Sequence, residues 1–388
     1  MSKRSYARSF GKRSAGTGEV GRSERRPQRP MLKGSYAWSF GRGWLEPGRS
    51  GVSEERIAAP TADSRERAVE RTLRPQSFSE FVGQLSVIDN LSVYVQAALA
   101  RGEALDHILL SGPPGLGKTT LAGIIANELG ATMRYTTGPA LQRPADLAGI
   151  LTSLTDSSVL FVDEIHRLGK AIEEYLYAAM EDFRLDIVID SGPSARTVRL
   201  ELPHFTLIGS TTREGLLTGP FRSRFGVLEK LDFYPWHELK QIVTRSSGIL
   251  GTSITEPAAE LVARRSRGTP RIVNRFLRRL RDFAEVDGQG HIDDESAESG
   301  LRRLGIDKRG LDIMDRKLLS CLLRQGGGPV GLKTLAVTVG EEEATIEEVY
   351  EPFLIRLGLL HKTPRGRVAT EAAVKHLGEA PPAGGLFG

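Results

Sequence analysis

The sequence predicts an α/β protein: a parallel-sheet domain, then a small all-helical domain, then a C-terminal winged-helix domain. Three observations lead there. Residues 105–121, LDHILLSGPPGLGKTTL, read as apolar strand, glycine-rich loop and helix. Residues 159–164, VLFVDE, read as a buried strand ending in two acids. Past Tyr234-Pro235 the strand patterns stop, and helical segments run on until a short hairpin near residue 365.

Each element follows from local pattern. Residues 87–102 contain Val87, Leu91, Val95 and Leu99 spaced four apart, an amphipathic helix. The apolar run Ile108-Leu109-Leu110 is a short strand, and Lys118 opens a helix that continues through Leu121, Ile124, Ile125 and Leu129. Between them lies G-x-x-x-x-G-K-[ST], from Gly112 through Gly115 and Gly117 to Lys118, Thr119 and Thr120. Glycines let successive backbone N–H groups curl around a phosphate, and the helix N-terminus behind them adds partial positive charge. Lys118 is placed to reach β- and γ-phosphates, and the Thr119 hydroxyl to ligate Mg2+. Residues 131–137 and Leu160–Val162 are further strands, with 171–182 a helix between the third strand and a β-hairpin at 186–200. The strand ending in Asp163 sets a carboxylate at the edge where parallel sheets bind ligands, suited to the Mg2+ water shell. Glu164 beside it suits a general base that activates water. These residues imply an ATP-binding, ATP-hydrolysing domain. The strand at 205–210 ends in Thr211-Thr212-Arg213.

Residues 236–304 hold helical segments only, and GTPRIVN sets Pro270 at a first helical position with Arg271 just inside. Residues 308–380 read as three helices and a hairpin. One helix carries Ile346, Val349, Phe353 and Leu357 on a common face, and Lys362, Arg365 and Arg367 cluster at the hairpin, where basic residues contact DNA phosphates. The expected boundaries are therefore 66–233, 234–307 and 308–380, with a tail at 381–388.

Residues 1–65, rich in Arg, Gly and Ser, read as a disordered basic extension. SYARSFGKRS at 5–14 is echoed by SYAWSFGRGW at 35–44. The first 18 residues contain no acid, which leaves a dispensable tail, a misplaced start, a basic arm and a transit peptide all open. The net charge of +5 is unevenly spread: residues 1–70 carry +7 and the rest −2, so only local patches of the body can argue for nucleic acid. One cysteine, Cys321, excludes an internal disulfide framework and reads as a small buried hydrophobe. Seven histidines show no metal-ligand spacing. There is no apolar run of transmembrane length and no secretory signal, so a cytoplasmic location is expected.

Taken together, GPPGLGKTTLA, LFVDEIHRL, TLIGSTTREGLLTGPFRSRFG, GTPRIVNRFLRRLRDFAEV and HKTPRGRVAT resemble the RuvB family, Holliday-junction branch-migration motors of the AAA+ ATPase class, over about residues 66–377. The resemblance implies an AAA+ ATPase domain, a helical lid and a winged-helix domain that grips duplex DNA. It implies a homo-hexamer acting on four-way junctions with RuvA, bound through the 186–200 hairpin, and with RuvC in a resolving complex. Arg224 of FRSRFG matches the arginine finger, with Arg222 its neighbour and competitor. Thr211 and Thr212 match the first sensor and Arg271 the second. Leu73, Arg74, Glu181, Asp182, Phe183 and Tyr234 match positions that line the nucleotide, and Lys362 and Arg367 match the DNA-contacting wing. Gly169-Lys170 replaces a more usual helix start, and Lys362 a more usual Arg. The alternatives are a clamp-loader-like or other AAA+ remodeller, and a nucleotide-switched binding module without turnover.

Overall fold

The first domain is built on a five-stranded parallel sheet. The computed structural model describes residues 70–189, 196–287, 290–325 and 328–378. The expectations for the 1–65 extension, the hairpin turn at 190–195 and the 381–388 tail lie outside the described residues. In chain order the sheet strands are β1 (Ile108–Ser111), β2 (Met133–Thr137), β3 (Val159–Asp163), β6 (Thr206–Thr211) and β7 (Val227–Lys230), arranged β2-β3-β6-β1-β7. β3, β6 and β1 lie side by side, with Phe161 opposite Ile208 and Ile208 opposite Ile108. The three central strands are largely apolar and buried, with polar residues mainly at their carboxyl ends and only Asp163 partly exposed, as a sheet covered on both faces requires. Their carboxyl ends therefore bring together the glycine-rich loop, the Asp163-Glu164 pair and Thr211-Thr212. β7 is an edge strand of four residues whose sequence, VLEK, gives little signal.

Helix α1 (Leu85–Arg101) buries Val87, Leu91, Val95 and Ala98, but leaves Leu99 52% exposed. A spacing of four overshoots the 3.6-residue turn by about 40° each step, so Leu99 has rotated about 120° from Val87 while Ala98 returns to its face. Helix α2 (Lys118–Glu128) follows the loop, α3 spans Pro144–Leu151, and α4 (Lys170–Glu181) packs against the sheet through Ile172, Leu176, Ala179 and Met180. Gly169, at its N-cap, offers no side chain to the first-turn amides. β4 (Arg184–Ile189) and β5 (Arg196–Glu201) form the expected antiparallel hairpin.

The lid comprises α6 (Trp236–Ile249), α7 (Glu256–Arg265), α8 (Pro270–Val286) and α9 (Asp294–Arg303), the short α5 (Gly219–Arg222) lying between β6 and β7 of the first domain. It is not wholly helical. β8 (Ser253–Ile254) and β9 (His291–Ile292) form a two-residue parallel pair, too short to leave a periodic signal.

In the C-terminal domain α10 (Ile313–Arg324), α11 (Leu332–Val339) and α13 (Glu351–Arg356) surround an apolar core that includes Cys321. The antiparallel hairpin β10 (Leu360–Thr363) and β11 (Gly366–Ala369) forms the wing, and α14 (Glu371–Leu377) follows. Between α12 (Glu343–Thr345) and α13 the helix widens into a π-turn at Ile346–Tyr350. That widening moves Val349 off the expected face, to 45% exposure, while Ile346 and Phe353 stay buried.

Lid and wing domain join through Arg267. Its Nη2 lies 2.6 Å from both Asp312 and the fully buried Asp315, and its Nε donates to the Gly310 carbonyl. Burial pushes the Asp315 carboxyl up, and the Arg267 charge opposes that shift. Arg267→Ala leaves a buried carboxylate without its cation, so it should destabilise this joint by about 3–5 kcal/mol. Differential scanning calorimetry of the full chain should show the loss; an unchanged profile would refute the role given to the pair.

Candidate active site

At the carboxyl edge the chain builds a cleft floored by the glycine-rich loop and roofed by the lid. Gly112 has φ +131°, and a Cβ there would stand 2.3 Å from the Leu231 carbonyl oxygen, so only glycine lets the loop leave β1 beside the end of β7. Gly115, at φ +82°, leaves room for the Arg271 side chain, whose Cβ would come within 3.1 Å of an added methyl. Gly117 caps α2 in the left-handed region. Lys118 is buried, and its ammonium donates to the carbonyls of Gly112 (2.7 Å) and Pro113 (2.8 Å). Burial lowers its pKa to about 8; Asp163 opposes that shift and the Arg271 charge adds to it.

Asp163 ends β3 at the place where β6 supplies Ser210, whose hydroxyl donates to Asp163 Oδ1. The Glu164 amide donates to the same oxygen at 3.1 Å. Glu164 itself has φ +49°, which few non-glycine residues adopt; it swings the side chain out of the strand direction, where Oε2 meets Arg167 at 2.9 Å. Thr212 and Ser210 both line the cleft. Thr211 points elsewhere: its hydroxyl bonds His166 Nδ1 at 3.0 Å and accepts from the Arg213 amide. Of the two threonines matched to the first sensor, Thr212 is the one in the cleft.

Leu73, Arg74, Gly115, Gly117, Lys118, Thr119, Thr120, Asp163, Glu164, Thr212, Tyr234 and Arg271 all line this one cleft. Gly112 contributes its carbonyl to Lys118 rather than lining it. The Tyr234 hydroxyl donates to the Leu116 carbonyl at 3.2 Å, fastening the interdomain linker to the loop, and burial pushes that phenol well up. Sequence reasoning missed Ser210, Asn274 and Arg245. Arg245, on α6, donates to the Leu73 carbonyl (2.8 Å) and meets Glu80 (2.9 Å), tying the lid to the N-terminal segment.

Glu181, Asp182 and Phe183, matched to positions that line the nucleotide, are not in the lining of this cleft, and neither is Arg224, matched to an arginine finger that reaches a neighbouring subunit. They form a separate cluster. The Arg224 guanidinium lies 4.2 Å from the Tyr177 ring centroid, 3.2 Å from Glu181 and 2.6 Å from the Pro220 carbonyl oxygen. Asp182 pairs with Arg184, and Phe183 packs on His204 and Phe205. Arg222 is engaged by Glu214 at 3.4 Å.

The wing corrects a further expectation. Arg367 is only 8% exposed and forms a two-pronged pair with the buried Glu351, while its backbone bridges to Val330. In this structure its guanidinium is buried against Glu351 instead of standing exposed at the hairpin. Lys362 and Arg365 are exposed at the hairpin, Lys362 pairing with Glu347 at 2.7 Å.

Comparison with known proteins gives a consistent result. Family models match three consecutive stretches: the Holliday junction DNA helicase RuvB P-loop domain at 73–231, the RuvB AAA lid domain at 234–307 and the RuvB C-terminal winged helix domain at 308–378. The Holliday junction branch migration complex subunit RuvB of Myxococcus xanthus is 60% identical over 315 residues, covering 81% of this chain and 92% of that one. Its counterpart in Salinibacter ruber is 56% identical over 323 residues, covering 83% and 94%. The solved RuvB Holliday junction branch migration motor of Thermotoga maritima superposes with a TM-score of 0.74 at 49% identity, covering 80% of this chain and all of that one.

Proposed function

This chain belongs to the RuvB family, and from that premise we propose that it is an ATP-driven motor that moves Holliday-junction branch points as a hexameric ring working with RuvA. The observation that carries the reading is the division of the catalytic set. Lys118, Asp163, Glu164, Thr212 and Arg271 share one cleft, whereas Arg224 stands outside it. A cleft that lacks Arg224 is completed by a neighbour's Arg224, which makes hydrolysis depend on ring assembly.

In this mechanism the loop amides and the α2 N-terminus cradle the phosphates, and Lys118 exchanges its loop carbonyls for β- and γ-oxygens. The donor set at the cleft floor, the Thr119 hydroxyl and the Asp163 carboxylate, is hard oxygen and suits Mg2+, which would neutralise phosphate charge there. Glu164 leaves Arg167 to take a proton from the attacking water. Thr212 orients that water or the γ-phosphate, and Arg271, at the first turn of α8, reports phosphate occupancy to the lid. Glu181, Asp182 and Phe183 accompany Arg224 toward the next subunit's nucleotide. Lys362 and Arg365 hold the DNA backbone, so the grip ignores sequence. The β4–β5 hairpin is the surface offered to RuvA, and RuvC joins the resolving complex.

The test is the ATPase rate with and without a four-way junction and RuvA, at two salt concentrations. Stimulation by both, weakened by salt, is the expected result. A rate indifferent to both would leave a general AAA+ remodeller.

Lys118 adds a pH dependence. Its free-site pKa of about 8 lies below the ordinary lysine value. The charged form that grips phosphate is therefore lost as pH rises through 8, and the bound phosphates favour its return. Affinity for a fluorescent ATP analogue should fall roughly tenfold between pH 7 and pH 9. A flat profile would contradict a lowered Lys118.

A further inference from the structure

We propose that Glu347 is a coupling residue that relays DNA binding at the wing to the nucleotide cleft through Arg213. The inference rests on the reading that Lys362 contacts DNA. Arg213 directly follows Thr212, and its amide is held by the Thr211 hydroxyl at 2.9 Å. Its side chain leaves the ATPase domain altogether. Nη2 meets Glu347 Oε2 at 3.3 Å, and Nε meets Glu348 Oε1 at 2.8 Å. Glu347 is shared: its other oxygen accepts from Lys362 Nζ at 2.7 Å. The hydrogen bond from Lys362, with the charges of Lys362, Arg213 and Arg367, holds its carboxyl below the ordinary range, so it is ionised at neutral pH.

Two further observations place this contact at a working joint. Glu347 and Glu348 lie on the π-turn at Ile346–Tyr350, a geometry rare in helices and frequent at functional sites. A second cavity runs between the domains there, lined by Pro113 and Pro114 of the phosphate loop together with Thr212, Arg213, Glu347 and Glu348. Both side chains stay about a third exposed, at 32% and 36%, so the ion pair contributes only about 1 kcal/mol or less to stability.

Lys362 and Arg213 compete for one carboxylate, with Arg367 more distant at 3.6 Å, and each is held less firmly than it would be alone. When a DNA phosphate draws Lys362 away, Glu347 falls to Arg213, because Arg367 is already engaged by Glu351. The tighter grip on Arg213 steadies the end of β6 and with it Thr212. Coupling of this kind is reciprocal, so movement of Arg213 during the nucleotide cycle alters how readily Lys362 is released to DNA.

The test uses the full-length chain, linear duplex DNA as the probe, and three readings: basal ATPase, DNA-stimulated ATPase and DNA affinity. For Glu347→Gln, basal ATPase should stay within about twofold and stimulation by DNA should fall at least about fivefold. DNA affinity should rise by about two- to fivefold, because Lys362 loses its competing carboxylate. Arg213→Met should lose stimulation likewise, and Arg213→Lys should restore part of it. Full stimulation in Glu347→Gln, or a collapse of its basal rate, would overturn the proposal. Lys362→Ala separates the two layers. If it leaves DNA affinity unchanged, the wing reading fails and takes the coupling with it. If it weakens binding while Glu347→Gln remains fully stimulated, only the coupling fails.

Discussion

Glu164→Gln should lower steady-state ATPase by about 10² to 10⁴ while leaving ATP affinity within a few-fold, because a positioned general base is worth that much and the amide keeps its shape. The geometry explains why binding survives. The phosphates are held by the loop and Lys118, and Asp163 keeps its hydrogen bonds from Ser210 and the Glu164 backbone amide, neither of which needs the Glu164 side chain. The substitution also releases Arg167, whose partner is a Glu164 oxygen. Binding of a fluorescent nucleotide together with single-turnover hydrolysis would resolve the two effects. Turnover near the wild-type rate would show that another group activates the water.

The second large effect is expected at Arg224. Arg224→Ala should reduce ATPase by about 10³ to 10⁵, with nucleotide affinity little changed, since the residue lies outside its own cleft. Mixing Arg224→Ala with Lys118→Ala subunits should recover part of the activity. A Lys118→Ala subunit still lends its arginine to a neighbour whose own cleft is whole. Two dead variants that stay dead in every ratio would rule out catalysis across the interface. The surroundings of Arg224 fit a group held ready for use elsewhere: an aromatic ring beneath it, a carboxylate beside it and a backbone carbonyl at 2.6 Å.

What was legible in the sequence was what short-range chemistry fixes. Glycines at Gly112, Gly115 and Gly117, the lysine after them and an acid pair closing an apolar strand each state their role within a dozen residues. What was not legible depends on partners far along the chain. Ser210 matters because β6 lies beside β3 and delivers its hydroxyl to Asp163, 47 residues away. Arg245 matters because α6 folds back on Leu73, 172 residues away. Arg367 looked like a surface charge because nothing near it announces Glu351, its buried partner on another element. The π-turn that displaces Val349 and presents Glu347 breaks the 3.6-residue period that sequence patterns assume. β7 and the β8–β9 pair escaped notice because two to four residues carry no period at all.

The Arg245 tie has a practical consequence. Glu70, among the first described residues, lines the nucleotide cleft, and the segment from Leu73 to Glu80 is pinned to the lid beside it. A tag or fluorophore attached close to Glu70 would sit beside that cleft. Tags and fluorophores for kinetic work therefore belong at the opposite terminus. A label placed near Glu70 should be checked first through nucleotide exchange rates, where interference at the cleft would register.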